Sequence, residues 1–264
     1  MSAAKPETVL VTGASSGIGL ELARCFAAEG SRLILVARNT PALEALAEEL
    51  RRDFKVETVV LTADLSLPET PGKIFSELKG RGIVVDVLVN NAGFGAHGRF
   101  LKLPLDRQIE MIQVNVTALT QLTGLFLPGL VERRQGGVLN VASVAAFVPG
   151  PGMAVYFATK AFVLSFSEAL AAETAGKGIN VMALCPGPTG TNFGKVANFN
   201  GHTKMVRVAS MTAKTVAMQG HEAFRGGRVV TVNGWRNRLL VILIRLTPRF
   251  LVRNITMKFN GSSN

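Results

Sequence analysis

The chain has 264 residues, 48% of them apolar and 18% charged, which excludes a disordered or low-complexity protein and leaves enough apolar material for a sizeable core. Its net charge of +11 is uneven: residues 174–264 carry 13 Lys/Arg against one acid, Glu222, whereas residues 1–173 carry 16 Lys/Arg and 17 Asp/Glu. The basicity belongs to the C-terminal third, which excludes a simple basic protein and points to a basic face for phosphates, an anionic membrane or an acidic carrier.

The opening MSAAKPETVLVTG has no basic stretch followed by an apolar one, so no secretory signal is expected and the cytoplasm is the expected compartment. Cys25 and Cys185 match no metal or redox spacing and read as reduced core thiols. His97, His202 and His221 are scattered, and no metal is expected. With no repeat and no linker, the whole of 1–264 is predicted to be one domain.

Residues 8–37 read strand, tight loop, helix, strand: TVLVTG, ASSGIG, LELARCFAAEG, RLILVA. Gly13, Gly17 and Gly19 fall where backbone must turn sharply and the new helix offers unpaired N–H groups and a positive dipole end to a pyrophosphate. Their G-x-x-x-G-x-G spacing departs from the G-x-G-x-x-G fingerprint, and a purely structural glycine turn is the competing reading. After the second strand come Ala37 and Arg38. A guanidinium there, with no carboxylate, favours the 2′-phosphate of NADP over the free ribose of NAD; the bland reading makes Arg38 a surface residue beside a helix started by Asn39 or Thr40.

The third strand, VETVVLTADLS, ends at Asp64 and Leu65; a helix near 68–80 and a fourth strand, VVDVLVNNAG, follow. Strands alternating with helices predict a parallel sheet. Asn115 lies in the helical run PLDRQIEMIQVNVTALTQL, where a buried asparagine satisfied by backbone is the simplest reading. The apolar run GVLNVAS ends at Ser143, and Tyr156 and Lys160 stand four apart in YFATKAFVLSFSEALAAE, so both face one side of a helix. An ammonium beside a phenol lowers its pKa and makes it a usable acid or base, and a hydroxyl at a strand's carboxyl end can hold a carbonyl oxygen: hydride chemistry needs this set. By itself a Tyr–Lys pair at this spacing is more often a snorkelling surface pair than a catalytic one. Tyr156 is the chain's one tyrosine.

Thr12-Gly13-Ala14-Ser15-Ser16-Gly17-Ile18-Gly19, Asn90-Asn91-Ala92-Gly93, Ser143 with Tyr156 and Lys160, and Pro186-Gly187 after a sixth strand stand in one order along the chain. In that order the chain resembles the classical short-chain dehydrogenase/reductase family over residues 8–191, near its 3-ketoacyl and 17β-hydroxysteroid reductases. The resemblance implies an α/β fold: a doubly wound (Rossmann-type) parallel sheet of about seven strands with helices on both faces. It implies that Gly13, Ser15, Ser16, Gly17, Ile18 and Gly19 hold the pyrophosphate of NADP(H), that Asp64 and Leu65 flank the adenine, and that Asn91, Ala92 and Gly93 border its ribose. Pro186, Gly187, Thr189 and Thr191 would lie against the nicotinamide; Thr189 stands where Val or Ile is usual. Ser143, Tyr156 and Lys160 would carry the catalysis, Lys160 also holding the nicotinamide ribose, and Asn115 would fix a relay water. It further implies a small apolar carbonyl or alcohol substrate and a homodimer or homotetramer paired through helices around 104–134 and 156–175.

Residues 192–211 correspond to the family's substrate lid, with Phe193, Phe199, His202 and Met205 either lining a pocket or forming a surface loop; His97 either faces substrate or, as is more usual, is an ordinary loop residue. The segment 235–264 alternates arginines with apolar residues, has no acid, and is too short in apolar run to cross a bilayer. Its expected place is at an anionic membrane interface, against a neighbouring subunit, or on its own domain. Nucleic-acid binding is not expected, since the arginines are interleaved with aliphatic residues. A cofactor-binding sensor or scaffold is the alternative to an enzyme; the complete set Asn115, Ser143, Tyr156 and Lys160 favours the enzyme.

Overall fold

The run TVLVT at Thr8–Thr12 is apolar at successive positions rather than alternate ones, as a strand covered on both faces must be. In the computed structural model, which describes residues 6–190 and 210–260, it forms β1, buried along its whole length. The strands β2 (Arg32–Ala37), β4 (Val87–Asn90), β5 (Gly137–Val141) and β6 (Asn180–Cys185) are buried along most or all of their length, whereas β3 (Thr58–Thr62), at the sheet edge, is mostly half-buried. Two short strands follow, β7 (Thr189–Gly190) and β8 (Met211–Thr212), and then β9 (Val230–Val232). The main sheet has seven strands in the order β3-β2-β1-β4-β5-β6-β9, every pair parallel. This is the doubly wound sheet that the sequence predicts.

The crossovers are α1 (Gly17–Ala28), α2 (Thr40–Phe54), α3 (Thr70–Gly80), α4 (Leu105–Ile112), α5 (Leu119–Arg133), α6 (Ala154–Glu173) and α7 (Ala213–Arg225). Strand periodicity divides the core into two layers. Val9, Val11, Leu33, Leu35, Val87 and Val89 pack with α1, α2 and α7. Leu10, Ile34, Val36 and Leu88 point the other way, towards α3 and α5. Each such fully buried aliphatic contributes about 2 kcal/mol. An acid at Leu10, 0% exposed, would remove that and bury a charge.

By length and composition alone, the helical stretches Leu105–Arg133 and Ala154–Glu173 are compatible with membrane association. Their apolar residues have another use, however. Leu122, Phe126 and Leu130 lie in one core layer, and Leu119, Val163 and Leu164 pack with Ala142, Ala183 and Cys185. After β9 the chain continues into α8 (Trp235–Leu246) and α9 (Arg249–Asn260).

The strand order reverses between β1 and β4, where a crevice opens beyond the carboxyl ends of the strands. β7 pairs with β8 away from the main sheet, joining the chain on either side of residues 191–210. Thr191, Phe193, Phe199, His202 and Met205, and the segment read as a lid up to residue 209, lie outside the described residues.

Candidate active site

The predicted site residues within the described chain follow the carboxyl ends of β1 to β6 or sit on the helices beside them. After β1, Gly13 and Gly17 hold φ of 65° and 60°, the left-handed region that side chains disfavour. The turn leaves Ser16 extended at the N-cap of α1, with no side chain capping the helix and no acid in its first turn. The backbone N–H groups of that turn are a ready site for phosphate. A depression of about 520 Å³, lined by Ser15, Ser16, Gly17, Leu20, Glu21, Gly190 and Ala213, opens beside it.

Asn91 has a structural task alongside the ribose-bordering one that the resemblance implies. Its Nδ2 donates to the carbonyls of Thr12 (2.8 Å) and Gly13 (3.2 Å), binding the glycine loop to the end of β4. A Cβ on Gly13 would meet that Nδ2 at 2.7 Å, and one on Gly19 would strike it as well. The glycines are thus required first for the loop's own packing. Thr12, which opens the glycine motif in the sequence but has no role assigned there, completes the knot: its Oγ1 accepts from the N–H groups of Asn91 and Ala92, both at 3.0 Å.

At the adenosine end, Arg38 is 65% exposed in its side chain, with its guanidinium 3.9 Å from Asp64 and 4.0 Å from Glu110. The Asp64 carboxylate accepts from the Ser66 N–H, and Leu65 is buried in the core. Asn39 caps α2 through Ala42 N–H, so the helix-starting reading of Asn39 holds while Arg38 remains turned to solvent. The donor set therefore fits a nicotinamide dinucleotide, with N–H groups and a helix dipole for the pyrophosphate; the fold brings the Asp64 and Glu110 carboxylates to the Arg38 guanidinium, where the sequence shows no acid beside it.

At the other end, Ser143 caps a 3-10 turn (Val144–Phe147), its Oγ accepting from Ala145 N–H, and it hydrogen-bonds the Tyr156 phenol. Burial pushes that phenol up to about 12, and the Ser143 hydrogen bond pulls it the other way. Burial is the larger influence on that phenol, and the Lys160 ammonium that the sequence pairs with it does not offset the rise. Lys160 is 6% exposed and donates to the Val141 carbonyl at 2.7 Å; burial draws its amine down to about 8. The surface-pair reading of Tyr156 and Lys160 fails on that burial. Phe94, Ala96 and Met111, with Leu103 and Val155, make an apolar wall against Tyr156.

Asn115 sits in a π-helical turn, Gln113–Ala118, between α4 and α5. Such turns carry one residue more than an α-helix and re-aim a side chain. Asn115 is 1% exposed; its Oδ1 accepts from Phe94 N–H (3.1 Å), and its Nδ2 donates to Phe94 O (2.9 Å) and Thr159 Oγ1 (3.0 Å). Its side chain is thus satisfied mainly by backbone, and it joins the loop after β4 to α6. A Cβ on Gly93 would come within 2.9 Å of Asn115 Oδ1 and 3.5 Å of Lys160 Nζ, so Gly93 keeps that corner open.

Below the site runs a buried polar ladder that the sequence reading missed. Asn90 Nδ2 donates to Thr123 Oγ1 and Asn140 Oδ1, and Asn140 Nδ2 donates to Ser167 Oγ. Its signal in the sequence is asparagine inside otherwise apolar strands. After β6, Thr189 Oγ1 donates to Gly187 O, and a Cβ on Gly187 would strike the Asn237 amide of α8. Among the described residues no group of His, Cys, Asp or Glu is arranged to hold a metal.

The family model for the short chain dehydrogenases matches residues 7–200. The very-long-chain 3-oxoacyl-CoA reductase of Rattus norvegicus is 37% identical over 261 residues, covering 97% of this chain and 80% of that protein. The Homo sapiens protein of that name is 35% identical over 263 residues, with the same 97% and 80% coverage. Among solved structures, a short-chain dehydrogenase from Sphingobium yanoikuyae in complex with NADPH superposes with a TM-score of 0.80 and 35% identity, over 87% of this chain and 88% of that one.

Proposed function

This chain belongs to the short-chain dehydrogenase/reductase family, and on that premise we propose that it is an NADP(H)-dependent carbonyl reductase for an apolar ketone, a 3-oxoacyl thioester or steroid-like ketone foremost. The observation that carries the reading is Tyr156, hydrogen-bonded to Ser143 with Lys160 buried one helical turn away. The relatives' name supports the acyl substrate, and the apolar wall against Tyr156 suits it.

NADPH supplies the hydride when bound; the residues named here bind, orient and move the proton. The glycine loop and the first turn of α1 take the pyrophosphate, Arg38 the 2′-phosphate, and Asp64, Leu65 and Asn91 to Gly93 the adenosine. Pro186, Gly187, Thr189 and Thr191 border the nicotinamide. Ser143 Oγ donates to the substrate's carbonyl oxygen, and the Tyr156 hydroxyl gives that oxygen its proton. A phenol near 12 is neutral at pH 7 and so carries the proton that reduction consumes. Lys160, still mostly protonated at pH 7 with its amine near 8, steadies the phenolate left behind and replaces its proton, while Asn115 keeps the relay open.

The working form is a single domain with a lid over 192–211, paired as a homodimer or homotetramer in the cytoplasm, its C-terminal segment reaching a membrane surface. The test is calorimetric titration with NADPH and NADH, with NADPH consumption followed on a long-chain 3-oxoacyl-CoA. Arg38→Ala should lower NADPH affinity about 10-fold or more towards that for NADH. Tyr156→Phe should keep NADPH binding and lose about 100-fold or more in turnover. Wild-type turnover in Tyr156→Phe would sink the proposal.

A further inference from the structure

The catalytic reading leaves α8 and α9 without a task. On α8, Asn237 and Val241 are buried against the fold, whereas Trp235, Leu239, Ile242, Leu243 and Leu246 are exposed. At about 100° per residue those five share the side of the helix facing away from the fold. On α9, Val252 is buried while Phe250, Leu251, Ile255 and Met257 are exposed. A stripe of five exposed apolar side chains along one helix, as on α8, marks an interaction site.

The charge around it selects the partner. α8 and α9 carry Arg236, Arg238, Arg245, Arg249 and Arg253 and no acid. A two-fold pairing of this face with a second copy would set one acid-free, arginine-bearing segment against another, and the repulsion would oppose it. An anionic lipid surface supplies the missing charge. Each helix has 12 residues, about 18 Å long, against roughly 30 Å of hydrocarbon, so neither crosses.

We propose that α8 and α9 lie in the plane of an anionic bilayer, with Trp235, Leu239, Ile242, Leu243 and Leu246 in the headgroup–acyl boundary and Arg249 and Arg253 at lipid phosphates. α8 is fixed to the catalytic site at two points. Asn237 closes against Gly187, and the Arg245 guanidinium stands 5.4 Å from the centroid of the Phe147 ring, in the turn that Ser143 caps. Docking therefore holds the Ser143–Tyr156 mouth close to the lipid, where apolar substrates are dissolved. The inference deepens the membrane contact of the proposed function, and NADPH titration of the same samples separates its failure from failure of the catalytic reading.

Trp235 is the one tryptophan in the chain, so emission reports on this face alone. The full chain is mixed with vesicles of phosphatidylcholine containing phosphatidylglycerol, and with phosphatidylcholine alone, and followed by sedimentation and emission. The expected result is binding to the anionic vesicles with a blue shift that fades with salt. Arg249→Gln with Arg253→Gln should weaken partitioning roughly 25-fold, about five-fold per charge. Leu239→Gln with Leu243→Gln should abolish the blue shift while leaving NADPH binding intact. No binding to anionic vesicles, or equal binding to phosphatidylcholine alone, overturns the proposal. So does an oligomer, sized by light scattering, that falls apart in the Leu239→Gln, Leu243→Gln variant, because a second copy then covers the face.

Discussion

Replacing Lys160 with Met should leave the fold as stable at neutral pH or make it more so, while removing the ammonium that the chemistry needs. Lys160 is 6% exposed and its amine is drawn from 10.5 to about 8 by burial. Keeping it protonated in the folded state at pH 7 therefore costs about 3 kcal/mol relative to the unfolded chain. Met fills a similar volume without charge but leaves the Val141 carbonyl without its 2.7 Å donor, a loss of about 1–3 kcal/mol. The net effect at pH 7 runs from about zero to about 2 kcal/mol in favour of Lys160→Met. Between the folded value near 8 and the unfolded one near 10.5, the unfolded wild type binds more protons, so wild-type stability rises with pH across that window. Lys160→Met has no such rise. Urea unfolding of both cofactor-free proteins at pH 7 and near pH 10.5, at one protein concentration, should show the difference moving by about 3 kcal/mol in the wild type's favour. A difference that stays flat with pH would refute the argument that burial sets this amine.

Other outcomes follow from the same geometry. Gly19→Ala puts a Cβ into the Asn91 amide and 2.5 Å from the Gly13 carbonyl, so NADPH affinity measured by titration should fall about 100-fold or more; unchanged affinity would mean the loop relaxes freely. With the Tyr156 phenol near 12, reduction measured by kcat/KM should change little from pH 6 to 7.5, whereas oxidation of the corresponding alcohol, which needs the phenolate, should climb about tenfold per pH unit. An oxidation rate flat from pH 7 to 9 would show that proton release from Tyr156 is not limiting. Asn140→Leu removes the middle of the polar ladder, leaving Asn90 Nδ2 with Thr123 Oγ1 alone and Ser167 Oγ with the Val163 carbonyl alone, so thermal unfolding should show a loss of about 1–3 kcal/mol.

The strands and the glycine turn could be read from sequence because each is a local pattern. TVLVT and RLILVA carry apolar residues at successive positions between their ends, and Gly13, Gly17 and Gly19 fall between a strand and a helix. The Tyr156–Lys160 spacing placed both on one helix face, but nothing local said that this face is buried; Lys160 at 6% exposure is a product of packing. Nor could spacing show that burial would drive the phenol upward rather than the ammonium pull it down. The π turn at Gln113–Ala118 has no composition of its own, since VNVTA reads as ordinary helix, and its cause is tertiary: Asn115 reaches the Phe94 backbone 21 residues earlier. Asn91 was assigned to ligand through resemblance, whereas its contacts with Thr12 and Gly13 span 79 and 78 residues of chain and appear only once β1 and β4 are neighbours. The C-terminal segment betrayed its charge and apolarity at once, but only the fold shows which of those apolar residues are left outside.

The two-rung pairing of β7 with β8 has a meaning for how such a protein diversifies. Thr189 faces Met211 and Gly190 faces Thr212, so the chain leaves the catalytic sheet and returns to it through a single fixed gate. Closure entropy grows only logarithmically with the length of the chain between two fixed points, about 0.6 kcal/mol per doubling. The chain between Gly190 and Met211 can therefore change in length at little closure cost, while Ser143 after β5 and Tyr156 and Lys160 on α6 keep their positions.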